Sequence, residues 1–204
     1  SIKDICFSDE EKLGETEFAQ PAILTMSIAA MRVLKEQGVR AEMTAGLSLG
    51  EYSAYVASGA MDFEEAVALV QKRGKFMAEA VPSGEGAMYA IIGLDTEAVE
   101  AACKEAMEAG LGLAVPANYN APGQIVIAGA SGAVAEAAKI AKGKGAKMAV
   151  KLKVSGPFHT EMLKPAAEKL GPELEKMHIK PMDIPVYTNV DAHVVESEKD
   201  IIPI

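Results

Sequence analysis

Five residues, Gly46-Leu47-Ser48-Leu49-Gly50, have the types and spacing to do acyl chemistry. A Gly-x-Ser-x-Gly run between a strand and a helix is the signature of a nucleophile elbow, where a sharp turn lifts a serine hydroxyl into a cleft. The stretch over 39–43 can be the strand, and 51–58 reads as the helix, stopped by Gly59. On that reading Ser48 is the nucleophile, Gly46 and Gly50 allow the backbone to fold back, and the Leu49 amide points at a substrate carbonyl oxygen. The plainer alternative is a glycine-punctuated turn holding an ordinary serine.

A serine needs a base before it can attack. Of three histidines, His178 and His193 sit in charged, polar stretches and read as solvated. His159 follows a strand end and a Gly-Pro turn and precedes a helix, a position where α/β folds place catalytic groups. It is the candidate base, against the alternative of a merely exposed loop histidine. Arg73 lies among Gln71, Lys72 and Lys75 on the helix after the elbow helix. It is either part of a solvated face or a fork for a carboxylate, which arginine can grip through two parallel bonds and lysine cannot.

These side chains need a scaffold. The chain has 204 residues, 50% hydrophobic but only 5% aromatic, which suits helices layered on a largely buried sheet. The formal charge of −9 argues against nucleic acid as a partner. The two cysteines, Cys6 and Cys103, make neither a disulfide framework nor a metal spacing, so a cytoplasmic setting and no metal are expected. No apolar run is long enough for a membrane span and no signal peptide is visible, so no membrane partner is expected. The chain begins without Met and ends on an apolar run over 201–204, which suggests a segment of a longer protein.

Gln20-Pro21 is read as opening a helix that Gly38 ends. Asp62 and Glu65 form a capping-box pattern ahead of the helix carrying Arg73. After the breaker Pro82-Ser83-Gly84-Glu85-Gly86 the pattern predicts strand 87–94, helix 96–109, strand 113–117, turn 118–123, strand 124–128, helix 131–144 and strand 146–154. That β-α-β-β-α-β order is ferredoxin-like. A helix over 161–177 and a strand over 184–190, delayed or at an edge because of Pro185, complete the reading. The expected domains are 1–83 with 154–204 as one α/β core, and 84–153 as the inserted subdomain.

Taken together, Gly46-Leu47-Ser48-Leu49-Gly50-Glu51, Gln71-Lys72-Arg73-Gly74, Asn118-Tyr119-Asn120-Ala121-Pro122-Gly123-Gln124 and Gly156-Pro157-Phe158-His159 resemble the malonyl-CoA:acyl carrier protein transacylase family, which includes the acyltransferase domains of fatty acid and polyketide synthases. The resemblance implies an α/β-hydrolase-like core, incomplete here, with an inserted ferredoxin-like βαββαβ subdomain. It implies that malonyl passes from malonyl-CoA through a Ser48 ester to the phosphopantetheine thiol of acyl carrier protein, with His159 as base and then acid. Leu49 would donate an oxyanion-hole amide and Arg73 would pair with the malonyl carboxylate. Phe158 matches the malonyl-type form of its motif, and Gln20 and Asn120 fall at family positions near the pocket. No cofactor is implied; the CoA thioester is the substrate.

The chain departs from the family in three ways. Leu47 stands where a histidine is usual. The family's opening Phe-Pro-Gly-Gln-Gly stretch, which helps the oxyanion hole, has no counterpart, and neither has its later histidine-orienting segment. Loss of one oxyanion donor costs about a hundredfold or more in rate, so residues 1–204 alone are expected to be poorly active. Between 137 and 160 the chain has no acidic residue but carries Lys139, Lys142, Lys144, Lys147, Lys151 and Lys153. This is either a solvated face or a dock for acidic carrier protein or CoA phosphates. The rival functions are a serine esterase or thioesterase on the same elbow, which would need an acidic triad member that neither Asp62 nor Asp95 clearly supplies, and a non-catalytic scaffold.

Overall fold

The computed structural model describes residues 1–154 and 156–201. Ser155, in the turn read before His159, and residues 202–204, the end of the apolar run, lie outside the described residues. In chain order the elements are α1 (Ile2–Ser8), α2 (Glu10–Leu13), α3 (Thr16–Glu36), β1 (Thr44–Ala45), α4 (Leu49–Ala57), α5 (Phe63–Ala80), β2 (Gly86–Ile92), α6 (Thr96–Glu108), β3 (Ala114–Ala121), β4 (Gln124–Ala130), α7 (Ser131–Gly143), β5 (Met148–Lys151), α8 (Lys164–Leu174) and β6 (Val186–Tyr187), with short 3₁₀ turns at Glu161–Leu163 and Glu198–Asp200. They fall into two compact units, Ser1–Lys75 with Glu168–Ile204, and Phe76–Ala167.

In the first unit, Leu24 and Ile28 of α3 pack with Tyr55, Val70 and Val186. The helix begins at Thr16, a turn earlier than Gln20-Pro21 suggests, so Pro21 is interior. Proline there deprives the Glu17 carbonyl of its amide partner. The first turn is tied instead by Gln20 Nε2, which donates to Thr16 Oγ1 at 3.0 Å. The elbow strand also differs from expectation. Residues 39–43 are exposed coil, and the ladder holds only Thr44 opposite Val186 and Ala45 opposite Tyr187, in parallel. Thr44 N donates to the carbonyl of Pro185 at 2.9 Å, and Pro185 has no N–H to extend the pairing. The same proline delays the start of β6, which covers Val186–Tyr187 rather than the whole of 184–190.

In the second unit the strand order is β3-β4-β2-β5, each neighbouring pair antiparallel. The period of two in β2 and β4 sorts side chains between faces. Ile91, Ile125 and Ile127 meet Val99 of α6 and Val134 of α7 in one apolar cluster. Met88, Val126 and Ala128 form a smaller cluster with Leu152 and Phe158. The expected turn over 118–123 is strand as far as Ala121, because Asn118 and Tyr119 pair with Val126 and Ile125. Only Pro122-Gly123 turns the chain. Pro116 is tolerated because β3 is an edge strand. The expected helix over 161–177 is a 3₁₀ turn followed by the shorter α8, and the strand expected over 146–154 is trimmed to β5.

Candidate active site

Ser48 sits between the carboxyl end of β1 and the amino end of α4, with φ 53° and ψ −109°. A side chain in this region of backbone space carries strain of about 1–3 kcal/mol and persists only where surrounding structure holds it. Close approach is part of what makes the turn. A Cβ on Gly46 would lie 1.9 Å from the carbonyl carbon of Gly50, so glycine is obligatory at 46. A Cβ on Gly50 would meet open space, so only the backbone at 50 takes part in the close approach and the turn does not require a glycine there. Ser48 heads α4, and among the described residues nothing accepts from the Leu49 amide. A helix amino terminus with an unspent N–H is a donor for developing negative charge.

Arg73 of α5 reaches the serine. Its Nη2 donates to Ser48 Oγ at 3.0 Å and its Nη1 donates to Gln20 Oε1 at 2.7 Å. Gln20 is buried, so its carbonyl oxygen is a fixed acceptor. The guanidinium carbon lies 5.5 Å from the Tyr52 ring centroid, within range of a cation–π contact. Gly74 makes this placement possible, since a Cβ there would come within 2.4 Å of the Thr16 carbonyl oxygen. Helix α5 therefore lies directly on the first turn of α3. Burial pushes the Tyr52 hydroxyl above its ordinary pKa despite the nearby Arg73 charge. Tyr55 is pushed up to about 12, mainly by burial and further by the Glu51 carboxylate.

Asn189, which sequence reasoning missed, and Glu51, which it named only as the end of the elbow motif, complete this cluster. Asn189, just past β6, accepts the Ser48 N–H on its Oδ1. Its own N–H donates to Glu51 Oε1 at 3.0 Å. Burial raises the Glu51 pKa, partly offset by the Asn189 N–H and by Arg73. The available signal was positional: Thr188-Asn189 follows a strand that could run parallel to the elbow strand, and sites gather at the carboxyl ends of parallel strands.

Gln20, Ser48, Leu49 and Arg73 thus belong to the first unit, and the first, second and fourth meet through hydrogen bonds. Phe158, His159, Asn120 and the six lysines belong to the second. His159 is exposed, with φ 61°. Its loop is closed by Thr160 Oγ1, which donates to the Pro157 carbonyl at 2.8 Å. Phe158 packs against the Met88, Val126 and Ala128 cluster, which anchors that loop to the sheet. Asn120 is exposed at an irregularity between Tyr119 and Ala121 in β3. All six lysines are exposed; Lys139 pairs with Glu136 at 2.8 Å and Lys144 with Glu105 at 2.6 Å. His178 is exposed, and His193 Nδ1 lies 3.2 Å from Asp191. Among the described residues no group of histidine, cysteine and carboxylate side chains could hold a metal, and no helix is long and apolar enough to cross a membrane.

This geometry puts the chain among α/β proteins that carry a serine on a strand-to-helix elbow. Comparison with known proteins narrows the class: the acyl transferase domain family matches residues 1–199, and the chain belongs to that family. The malonyl CoA-acyl carrier protein transacylase of Bacillus subtilis (strain 168) is 53% identical over 193 residues, 95% of this chain and 61% of that protein. A malonyl-transacylase solved in complex with its type II polyketide synthase acyl-carrier protein matches with a TM-score of 0.94 at 45% identity, covering 99% of this chain and 65% of the other. The transacylase of Streptococcus pneumoniae matches with a TM-score of 0.90 at 47% identity and the same coverage. The chain spans about three fifths of the length of the curated relative and about two thirds of the solved ones.

Proposed function

We propose that the protein transfers malonyl from malonyl-CoA to the phosphopantetheine thiol of acyl carrier protein, as the names of its relatives suggest. The observation that carries this reading is the Arg73 guanidinium held on Ser48 Oγ at 3.0 Å by a buried Gln20. A cation at the nucleophile suits an acyl group with a free carboxylate one carbon beyond its reacting carbonyl. A guanidinium has donors but no acceptor and cannot take the serine proton, so a separate base is required.

His159 fills that role in the proposal. Its imidazole accepts the Ser48 proton as Oγ attacks the thioester carbonyl, and returns it to the departing CoA sulfur. The Leu49 amide faces the oxyanion. In the second half the phosphopantetheine thiol loses its proton to His159, attacks the seryl ester and releases Oγ, which regains a proton. Support for the pairing comes from the backbone: Ser48, His159 and Ala192 are the non-glycine residues with positive φ among those described. Strain of that kind concentrates at functional sites.

The fold supports the same reading. We take the second unit as a ferredoxin-like insert, on its element order and its β3-β4-β2-β5 sheet, and the first as an α/β-hydrolase-like core interrupted by it. Phe158 and Asn120 are assigned to the malonyl pocket on the resemblance alone. The lysine face is assigned to carrier-protein docking. Since Lys139 and Lys144 already pair with carboxylates, Lys142, Lys147, Lys151 and Lys153 carry the attraction. The setting is cytoplasmic, and no cofactor takes part.

The test uses the full-length protein with malonyl-CoA labelled in the malonyl group. The expected result is a stable ester on Ser48, discharged by acyl carrier protein thiol. Rapid release of free malonate would make the protein a hydrolase, and absence of label would make it a scaffold; either overturns the proposal.

A further inference from the structure

The serine elbow is held from a second strand. Ser48 is left-handed at φ 53°, and its N–H points out of both β1 and α4. A buried or half-buried amide without an acceptor is costly, and this one is satisfied by the side chain of Asn189. Because the donor is a backbone N–H, the partner atom must be the carboxamide oxygen, which orients the whole amide group. The Asn189 backbone is held in turn by Glu51 Oε1 at 3.0 Å, and Glu51 lies on the first turn of the helix that Ser48 heads. The three residues close a ring: Ser48 to Asn189, Asn189 to Glu51, and Glu51 back through α4 to Ser48.

We propose that Asn189 and Glu51 are positioning residues for the nucleophile, fixing the strained Ser48 backbone and the direction of its hydroxyl by bridging the carboxyl ends of β1 and β6. Neither reaches the substrate in this account. The proposal rests on Ser48 being the acyl-carrying residue. It also gives Glu51 a second effect: its carboxylate lies in the field of Arg73, so it offsets part of the positive charge offered to a substrate carboxylate. Removing that charge while keeping an oxygen acceptor should tighten binding of the carboxylated acyl group without disturbing the elbow.

The experiment is run on the full-length protein with two readouts, the rate of Ser48 labelling by a fluorophosphonate and the steady-state transfer of malonyl from its CoA thioester. Misplacement of a reacting group by about 1 Å costs on the order of a hundredfold. Asn189→Ala is therefore expected to slow both by roughly 10- to 100-fold. Asn189→Asp retains the acceptor oxygen and should keep kcat within about threefold, while its new charge near Arg73 raises the malonyl KM. Glu51→Ala should behave as Asn189→Ala does, whereas Glu51→Gln should keep kcat and lower KM. Thermal melting checks that each variant is folded; if Asn189→Ala unfolds, the Asp, Gln and Glu51→Ala results decide. Asn189→Asp or Glu51→Gln losing as much kcat as the folded Glu51→Ala, or the alanine variants labelling at the parent rate, overturns the proposal. If the unaltered protein reacts with fluorophosphonate but takes no malonyl, the transfer function fails while the positioning claim is still decided by the fluorophosphonate rates.

Discussion

The unit over Phe76–Ala167 and the unit over Ser1–Lys75 with Glu168–Ile204 are built on different economies. The first of these has a four-stranded sheet whose strands pair over up to seven registered positions and whose core places Ile91, Ile125, Ile127 and Val134 almost wholly out of water. The second has a two-stranded sheet with two registered pairs and leaves Ile23, Met26, Val33, Leu34, Val39 and Met43 exposed. Yet the second holds the obligatory Gly46 contact, the strained serine and the Gln20–Arg73–Ser48 cluster. Long ladders and apolar burial make a stiff frame; polar convergence at strand ends makes a reactive one. In the loop around His159 the stiff unit also departs from regularity, with a positive φ, beside the Phe158 anchor.

That contrast can be broken by core truncation. Ile127→Ala should cost about 2–5 kcal/mol, because the closely packed cluster cannot collapse around the cavity. Leu24→Ala, equally buried in the other unit, should fall at the low end of that range or below, since its surroundings can relax. Denaturant unfolding measures both; equal losses would remove the distinction between the units. For the elbow, Gly46→Ala should lower the melting temperature, because its Cβ would overlap the Gly50 backbone, and should lower the fluorophosphonate labelling rate of Ser48 by about a hundredfold.

A smaller effect is expected at the guanidinium. Arg73→Lys keeps the charge but loses the fork, so it should reduce the preference for malonyl-CoA over acetyl-CoA by roughly tenfold, the worth of one charge-assisted hydrogen bond. Unchanged selectivity would detach Arg73 from carboxylate recognition. The smallest effect belongs to the exposed ion cluster that joins α5 to α8. Hydrogen bonds from Lys176 and then Lys72 hold the Glu173 carboxyl down to about 2, from an ordinary 4.5. A folded-state pKa below the unfolded one stabilises the protein at pH values above about 4.5 and ceases to do so as pH falls toward 2. Glu173→Gln should lower the melting temperature slightly at pH 7, with the deficit shrinking between pH 4.5 and 2. A deficit that is independent of pH would assign the effect to packing instead.

Local chemistry was enough to find much of this molecule. The Asp62 and Asp95 caps mark helix starts because an N-cap needs only a short side chain and the amides beside it, and both are used: Asp95 Oδ1 accepts from Ala98 N, Asp62 Oδ1 from Glu64 N. Alternating apolar residues located β2 and β4, and motif spacing picked out Ser48 and Arg73. What went astray depended on pairing and packing partners that the local pattern does not reveal. Thr44 starts the elbow strand because Pro185 happens to face it, and Asn118-Tyr119 stays in β3 because Val126 and Ile125 pair with it. Pro21 is carried inside α3 because that helix buries Leu24 and Ile28.

By itself, then, the amino-acid order determined the helices from α4 to α7, the frame strands and the reactive residue types, since each depends on neighbours within a turn or two; α1 and α2 were not read from it. The three-dimensional fold alone decided where the short parallel strands begin, that Gln20 grips Arg73 across 53 positions, and that Asn189 holds Ser48 across 141. Hydrogen bonds at such separations leave no periodicity or local composition to read. They exist only once the intervening chain has folded.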